Sequence, residues 1–267
     1  MKKLLLFFVI LSMLTLISAC TQKSTTKEVE LSVKDISNLV INNRNGEVEI
    51  VGHSNSEKIE VTAQAKAKGI SMDKLKFSLK ERKNTAYLDA TFDGQFFATG
   101  SGSVDLQIKI PKHLQVDIQS HRDGNISISD VSSAIEIENV NGDINVSSSK
   151  GPLRIENRDG DMEIREIGSK VTLNNKNGKI QAMNIDGSID LKNRDGNLSL
   201  HNIHSDIKIM NLNGHIKVDQ IDGSAKIHVG DGSLDINDVS KNVEITQTGN
   251  GKVTFNNIKG NVTRNKK

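Results

Sequence analysis

The chain is poor in the residues that cross-link or stiffen a fold. Its 267 residues include one cysteine, two prolines, one tyrosine and no tryptophan, against 21 glycines. A single thiol cannot form a disulfide within the chain, so packing and backbone pairing must supply the stability. Few prolines and many Ile, Val, Asn, Asp and Gly residues are typical of short strands joined by tight turns. The composition therefore predicts an all-β protein.

The chain also lacks an excess of either charge. It has 35 basic and 33 acidic residues, and two of the basic ones, Lys2 and Lys3, lie in the leader described next. Without that leader the basic and acidic side chains are equal in number. A basic surface is the usual signature of nucleic-acid binding, so we expect no nucleic-acid partner.

The first twenty residues have the pattern of an export signal. Lys2 and Lys3 precede an apolar stretch from 4 to 17, and Ser18 and Ala19 supply small residues before Cys20. This is the order of regions in a secretory signal peptide. The apolar stretch is short for a membrane-spanning helix. A plain signal peptide is the alternative, but it would leave an odd free thiol in an exported protein.

Cys20 is the expected lipidation site. Leu16-Ile17-Ser18-Ala19-Cys20 resembles the bacterial lipobox, whose cysteine becomes the first residue of the mature protein and carries a diacylglycerol. We expect this lipid, with or without an N-acyl chain, and no other cofactor. Two acyl chains suffice for stable anchoring. The protein should then be exported and anchored to the outer face of the plasma membrane, or to the outer membrane of a diderm cell.

A repeat of eighteen residues dominates the rest of the chain. Glycines recur at 124, 142, 160, 178, 196, 214 and 232, and Gly251 follows one residue late. Counted from each of the first seven glycines, the residues at +2, +4, +7, +11 and +13 are apolar in 34 of 35 cases, with Ser149 as the exception. Such self-similarity indicates stacked units, and the alternation gives each strand one core face and one water face. The sequence predicts a single-stranded β-solenoid with two short strands in each coil.

Antiparallel hairpins are the competing topology, because the Asp-Gly and Asn-Gly pairs that end in these glycines are also hairpin signals. A column of asparagines three residues before the glycines favours stacked coils instead. We expect amides at one phase of every coil to hydrogen-bond from coil to coil. The column consists of Asn139, Asn157, Asn175, Asn193 and Asn211.

The repeat and the leader divide the chain into four parts. We expect a signal peptide over 1–19, the lipidated cysteine with a polar tether over 20–30, and the regular solenoid over 120–263. The part between, 31–119, holds longer alternating runs, which we interpret as wider coils or as a β-rich insertion. Either arrangement would cap the amino-terminal end of the solenoid, because unpaired strand edges invite aggregation.

Three features resemble a known family: the segment 39–50, which reads Leu-Val-Ile-Asn-Asn-Arg-Asn-Gly-Glu-Val-Glu-Ile, the step Ile110-Pro111-Lys112, and the Asn/Asp-Gly units that follow. The family comprises bacterial β-strand-repeat envelope proteins that are assigned as adhesins and mostly carry domain-of-unknown-function labels. The resemblance covers nearly the whole mature chain. It implies a β-solenoid at the cell envelope, sometimes encoded near envelope-stress or signalling genes, and it brings no agreed active site.

One cluster of side chains is a weak candidate for a metal site. In a stacked solenoid His204 would lie between Asp186 and Asp222, and His201 would lie beside Asp219 in the next coil. Such a group of histidines and carboxylates could form a weak metal site or a pH-sensitive cluster. Solvated bend residues that offset each other's charge are the alternative interpretation, and we expect no metal.

Two classes of function remain open. The first is a non-enzymatic envelope lipoprotein that acts as an interaction or structural module, with an envelope protein or a glycan as its partner. An accessory role in envelope-stress signalling is a further alternative. The second is a polysaccharide-active enzyme with a site between Lys58 and Pro111, where Asp89 and Asp93 are candidate acids. Seven units without an insertion frame no cleft. After Phe97 the only aromatic residue is Phe255, at an inward phase, so the regular repeat offers no aromatic platform for a sugar.

Overall fold

The computed structural model describes residues 22–93 and 100–266. The predicted signal peptide and Cys20 lie outside the described residues. In the described part the chain forms strands and one short 3-10 helix, Met72–Lys74. No helix within these ranges is both long enough and apolar enough to cross a bilayer. The predicted all-β class is confirmed.

The strands fall into an irregular amino-terminal group and a regular series. The first group is β1 (Lys23–Ser32), β2 (Asn38–Asn42), β3 (Val48–His53), β4 (Lys58–Lys68), β5 (Leu75–Arg82), β6 (Thr85–Phe92) and β7 (Ser101–Pro111). The regular series is β8 (Gln115–Gln119), β9 (Ile126–Ser129), β10 (Ile135–Glu138), β11 (Ile144–Ser149), β12 (Leu153–Glu156), β13 (Met162–Ile167), β14 (Val171–Asn174), β15 (Ile180–Ile185), β16 (Ile189–Asp195), β17 (Leu198–Ile203), β18 (Ile207–Asn213), β19 (Ile216–Ile221), β20 (Ala225–Val229), β21 (Leu234–Val239), β22 (Val243–Gln247), β23 (Val253–Ile258) and β24 (Val262–Lys266).

These strands form two facing sheets of twelve strands each. Sheet A has the order β1-β4-β7-β3-β9-β11-β13-β15-β17-β19-β21-β23, and sheet B the order β24-β22-β20-β18-β16-β14-β12-β10-β8-β2-β6-β5. From β8 onward successive coils pair in parallel and in register, as in Ile144 with Met162 on β13. Parallel pairing excludes the hairpin alternative and confirms the β-solenoid. At about 4.8 Å per strand, twelve strands make a rod roughly 53 Å long.

The predicted core positions all face inward. The 34 apolar residues of the repeat are buried, and the exception, Ser149, is only 1% exposed. The Ser149 hydroxyl donates to the carbonyl oxygen of Ser147 at 3.1 Å, which gives this buried group a partner. Alternation along each strand thus decides which face packs against the other sheet.

The amino-terminal part is a β-rich insertion that caps the rod. Strands β2 and β3 form the first coil, and β8 and β9 stack directly on it. Between them the chain extends both sheets in the other direction, with β4 antiparallel to β7 in sheet A and β5 antiparallel to β6 in sheet B. Strands β6 and β7 pair in parallel with β2 and β3, so the amino-terminal part combines one further coil, with a longer connection, and the antiparallel strands. The coils end where the antiparallel strands begin, because antiparallel pairing does not continue the parallel stack.

Two boundaries differ from the sequence prediction. The segment 20–30 was expected to be a tether, but β1 begins at Lys23 and pairs antiparallel with β4 along its whole length. Its alternating Val29 and Leu31 pack against the core, which is the physical reason for the strand. At the other end β24 reaches Lys266, three residues past the predicted limit of 263, because it pairs with β22.

One corner of each coil is made by the repeat glycines. Six of them, at 124, 142, 160, 178, 196 and 214, have φ between +119° and +142°. A Cβ on Gly160 would lie 2.1 Å from the carbonyl oxygen of Gly142 in the preceding coil. Since coils are one strand spacing apart, only glycine fits this corner, which explains the constant spacing.

The opposite corner uses left-handed residues other than glycine. The residue six positions after each repeat glycine has φ between +51° and +61°. Ser148 donates to Glu166 in the next coil at 2.9 Å, and Asn202 donates to Asn184 in the preceding coil at 2.9 Å. Polar side chains stacked at this corner therefore hydrogen-bond across coils while the backbone turns. The column is Asp130, Ser148, Glu166, Asn184, Asn202, Gln220, Asp238 and Asn257.

Candidate functional site

The asparagine column lies inside the glycine corner. All five asparagines are buried, with exposures from 0% for Asn211 to 8% for Asn157. The Asn175 amide donates to the carbonyl oxygen of Gly160, 3.3 Å away, and to that of Asn177, 3.1 Å away. The expected amide-to-amide hydrogen bonds do not form. The amides of Asn157, Asn193 and Asn211 donate in the same way to the glycine fifteen residues earlier.

The side-chain oxygens of this column have a different environment from the nitrogens. Within the described residues the Oδ1 atoms of Asn157, Asn175, Asn193 and Asn211 find no donor, and neither polar atom of the Asn139 side chain finds a partner. The Nδ2 atoms reach the glycine carbonyl oxygens because glycine has no Cβ that would block their approach. The column therefore stabilises the corner by donating to backbone acceptors, which is a structural role.

The column also contains residues that the sequence pattern did not indicate. Asn43, His121 and Gln247 are fully buried at the same corner, and Val229 replaces the polar residue in one coil. The His121 Nδ1 lies 2.6 Å from the carbonyl oxygen of Asn43, and Nε2 lies 3.3 Å from that of Gly124. Burial lowers the pKa of His121 below its usual value, although both carbonyls act in the opposite direction. The spacing carries this signal, since His121 lies three residues before Gly124, at the same phase as the asparagines.

A second polar ladder runs along the outside of the glycine corner. Asp and Asn alternate just before the repeat glycines, and Asn141 donates to Asp123 in the preceding coil at 2.7 Å. Asn213 donates likewise to Asp195 at 2.5 Å. This bond, followed by the one from Arg194, holds the pKa of Asp195 below its usual range. Asparagines of the next coil thus face the carboxylates of Asp123, Asp159 and Asp195, which explains the alternation at these positions.

A partial stripe of basic residues runs beside this ladder, two positions before the repeat glycines, and consists of Arg122, Arg158, Lys176 and Arg194. Arg158 contacts Asp159 in its own coil at 2.6 Å and donates to Asn141 in the preceding coil at 2.9 Å. The pKa of Asp159 is lowered first by the bond from Asn177 and then by the bond from Arg158. These exposed groups compensate one another, so the stripe is a solvated edge rather than a basic docking surface.

The candidate metal residues are brought into pairs. His201 Nδ1 lies 2.9 Å from Asp219 Oδ2, and His204 Nδ1 lies 2.7 Å from Asp222 Oδ2. Asp186, the fourth predicted residue, makes no side-chain bond to His204 in the described structure. Among residues 22–93 and 100–266 no three His, Cys, Asp or Glu side chains come together as metal ligands. Each pair is a cross-strand contact between neighbouring coils.

A shallow groove follows the outer face of sheet B across the carboxyl-terminal coils. It encloses about 790 Å³, and its lining includes Ser188, Asp206, Ser224 and Asn242. Lysines stand beside it in adjacent coils: Lys226 Nζ lies 2.9 Å from Glu244 Oε2. Lys208 is 3.6 Å from Asp190. The groove presents hydroxyls, amides and charges of both signs, so it suits polar contacts with a partner.

The candidate acids of the cap do not form a catalytic pair. Asp89 accepts hydrogen bonds from Asn42 at 3.1 Å and from Thr91 at 3.2 Å. Asp93 forms an ion pair with Lys76 at 3.1 Å. Four residues of extended chain place Asp89 and Asp93 about 13 Å apart. Carboxyl groups that cleave glycosidic bonds stand about 5 to 9.5 Å apart.

These features define a β-solenoid of 18-residue coils with continuous polar outer faces and a β-rich cap. The family model for Toastrack DUF4097, a domain of unknown function, matches residues 36–233. The chain therefore belongs to that family, which agrees with the resemblance drawn from the sequence. No curated relative matches it.

Solved structures with a similar course of the chain share little sequence with it. A cell adhesion protein, so assigned, from Clostridium sporogenes ATCC 15579 is 10% identical with a TM-score of 0.32, over 92% of this chain and 100% of the other. A proposed adhesin from Parabacteroides distasonis ATCC 8503 is 18% identical with a TM-score of 0.34, over 91% and 97%. A proposed lipid binding protein from the same organism is 11% identical with a TM-score of 0.39, over 91% and 97%.

Proposed function

We propose that this protein is a non-enzymatic, lipid-anchored envelope module that binds an envelope protein or a glycan through its outer faces, in the manner of an adhesin. The observation that carries the proposal is the unbroken stack from β8 to β24, which presents a polar groove of about 790 Å³ on sheet B. A shallow, open groove of this kind makes many weak contacts with an extended partner and does not surround a small substrate.

The groove is tested by cross-linking and capture from intact cells. We expect the double variant Lys208→Glu/Lys226→Glu to lose the captured partner, because it reverses two charges beside the groove. Lys179→Glu/Lys217→Glu is the matched control, since it reverses two charges of exposed lysines on the sheet A side, where Lys217 pairs with Ser199 and Asp235. Equal capture by the double variant and the control would contradict a partner in the groove.

The anchor is tested separately. Cys20→Ala should release the protein from membranes into the soluble fraction, because without the acyl chains no anchor is predicted. Cys20→Ser serves as a second thiol-free variant and should behave alike. Unchanged membrane retention of both variants would show that the lipobox interpretation is wrong.

The alternative, a polysaccharide-active enzyme with its site in the cap, has the separate readout of product formation. Cell-wall and extracellular glycans incubated with the protein should remain uncut. Cleavage that disappears in Asp89→Asn or Asp93→Asn would replace the proposed function with the enzymatic one. The bonds that Asn42 and Lys76 make to these acids favour a structural role for both.

A further inference from the structure

A single aromatic ring stands on the outer face of the cap. Tyr87 lies on β6 between Ala86 and Leu88, which are buried, so its own side chain points outward and is 41% exposed. It pairs with Lys80 on β5 and with Val40 on β2, two strands that flank β6 in sheet B. Three neighbouring strands thus present their side chains around one ring.

Polar side chains occupy the next row of the same face. Asp89, two residues after Tyr87, pairs with Ser78 on β5 and with Asn42 on β2. Asn42 Nδ2 donates to Asp89 Oδ1 at 3.1 Å, which holds the amide and the carboxylate side by side. Together they offer donors and acceptors about one strand repeat from the ring.

These two rows line one cavity. It encloses about 280 Å³, and its lining includes Asn42, Ser78, Lys80, Arg82, Tyr87 and Asp89. The Arg82 guanidinium lies 5.6 Å from the centroid of the Tyr87 ring, within the range of a cation–π contact that holds the ring in place. The volume is close to the lower limit for small-molecule sites and suits a single ring rather than a long chain.

Tyr87 is distinguished from the other aromatic residues by where it points. In the described ranges Phe77 and Phe92 pack against the core. Phe255 pairs with the inward Ile236 and is 50% exposed only because β23 is the last strand of sheet A, at the end of the rod. Tyr87 is therefore the one Phe or Tyr of residues 22–93 and 100–266 that stands on an outer sheet face. An exposed ring flanked by an amide, a carboxylate and two cations combines an apolar surface with directed polar groups.

We propose that this cavity binds one pyranose residue of a glycan, with the sugar ring stacked on Tyr87 and its hydroxyls bonded by Asn42 and Asp89. The electron-rich face of the phenol attracts the polarised C–H groups of the sugar, and stacking removes apolar surface from water. Lys80 and Arg82 exceed Asp89 by one charge, so a uronic acid binds better than a neutral sugar. This inference rests on the proposed function as an interaction module and specifies its ligand.

The chain offers an unusually direct assay, because one tyrosine and no tryptophan occur in its 267 residues. Tyrosine fluorescence of the purified protein therefore comes from Tyr87 alone. The probes are a glucuronic-acid-containing tetrasaccharide of hyaluronan and the neutral chitotetraose. Each should protect the fluorescence from acrylamide quenching, the uronic oligosaccharide at lower concentration. If neither probe protects Tyr87, the inference is overturned.

Variants assign the binding to the ring. By calorimetry Tyr87→Ala should weaken binding about tenfold, which corresponds to about 1.4 kcal/mol. Tyr87→Phe keeps the stacking surface and should bind like the original protein. Thr172→Ala is the control, because Thr172 lies on the same sheet far from the cap and pairs with Arg154 and Asp190. Circular dichroism checks that each variant folds.

Two results would separate this inference from the proposed function. Oligosaccharide binding that is unchanged in Tyr87→Ala would overturn the inference, since the sugar would then lie elsewhere. The groove proposal is decided by its own capture experiment with the Lys208→Glu/Lys226→Glu variant. If the cap binds no sugar, the expected capture of a partner by the groove does not change.

Discussion

The glycine corner makes the sharpest prediction about stability. Gly160→Ala adds a single methyl group at a position where φ is +142° and the nearest atoms are the carbonyl oxygen and carbon of Gly142, 2.1 Å and 2.6 Å away. Gly168→Ala adds the same methyl group to the same coil, in an ordinary backbone conformation, with Lys150 Cα 3.3 Å away. The two variants differ in the corner they occupy and in little else.

The expected magnitude follows from the geometry. A side chain at this φ costs about 1 to 3 kcal/mol. Relief of the contact requires the preceding coil to move away by about 1 Å, which would break the hydrogen bonds from Gly142 N to the carbonyl oxygen of Asp159 and from Asp159 N to that of Val140, both 2.9 Å long. Each lost bond costs about 0.5 to 1.5 kcal/mol. Gly160→Ala should therefore destabilise the rod by roughly 3 to 5 kcal/mol, and Gly168→Ala by less than about 1 kcal/mol.

Urea unfolding followed by circular dichroism measures both variants. Gly160→Ala should lower the urea concentration at the midpoint far more than Gly168→Ala does. The difference should be largest in the circular dichroism signal of the β-sheets. Because each coil contacts its neighbours only, partial unfolding on one side of the altered coil is also expected. Equal midpoints for the two variants would refute the steric account of the glycine spacing.

Three further predictions concern the interior. Ile164→Asp places a charge at a position that is 0% exposed and should lower the free energy of unfolding by more than about 3 kcal/mol. The outward Glu163→Lys should lower it much less. Equal losses in the two variants would refute the inward assignment of Ile164. The pKa of His121 is lowered by burial, so the unfolded chain binds more protons and stability falls as the pH drops below the ordinary histidine value. In His121→Asn this loss between neutral and mildly acid pH should disappear, and an unchanged slope of stability with pH would contradict the assignment. Asn175→Asp replaces the donor to two carbonyl oxygens by a carboxylate and should destabilise the fold strongly. Asn175→Val should destabilise it less, because Val229 is buried in the same column. The midpoints of thermal unfolding give the ranking.

The proposed site was less accessible to sequence reasoning than the fold. Tyr87 lies outside the eighteen-residue repeat, in a region whose strands were expected but whose pairing was open. Only the antiparallel register of β5 on β6 places Lys80 beside Tyr87, and only the parallel register of β2 on β6 places Val40 on its other side. Neighbours 7 and 47 residues apart along the chain leave no local pattern.

The sequence by itself determined the coil length, the inward phase and the glycine corner. Each of these depends on alternation or on a residue type with a unique conformational range, so one coil repeated seven times was sufficient evidence. The partners of the buried polar groups depended on the tertiary structure. Asn175 reaches the carbonyl oxygen of Gly160, fifteen residues back, instead of the next amide. The opposite corner, with its left-handed residues, also depended on the tertiary structure. Glu166 and Gln220 have no local preference for positive φ, and they adopt it in the stack of coils.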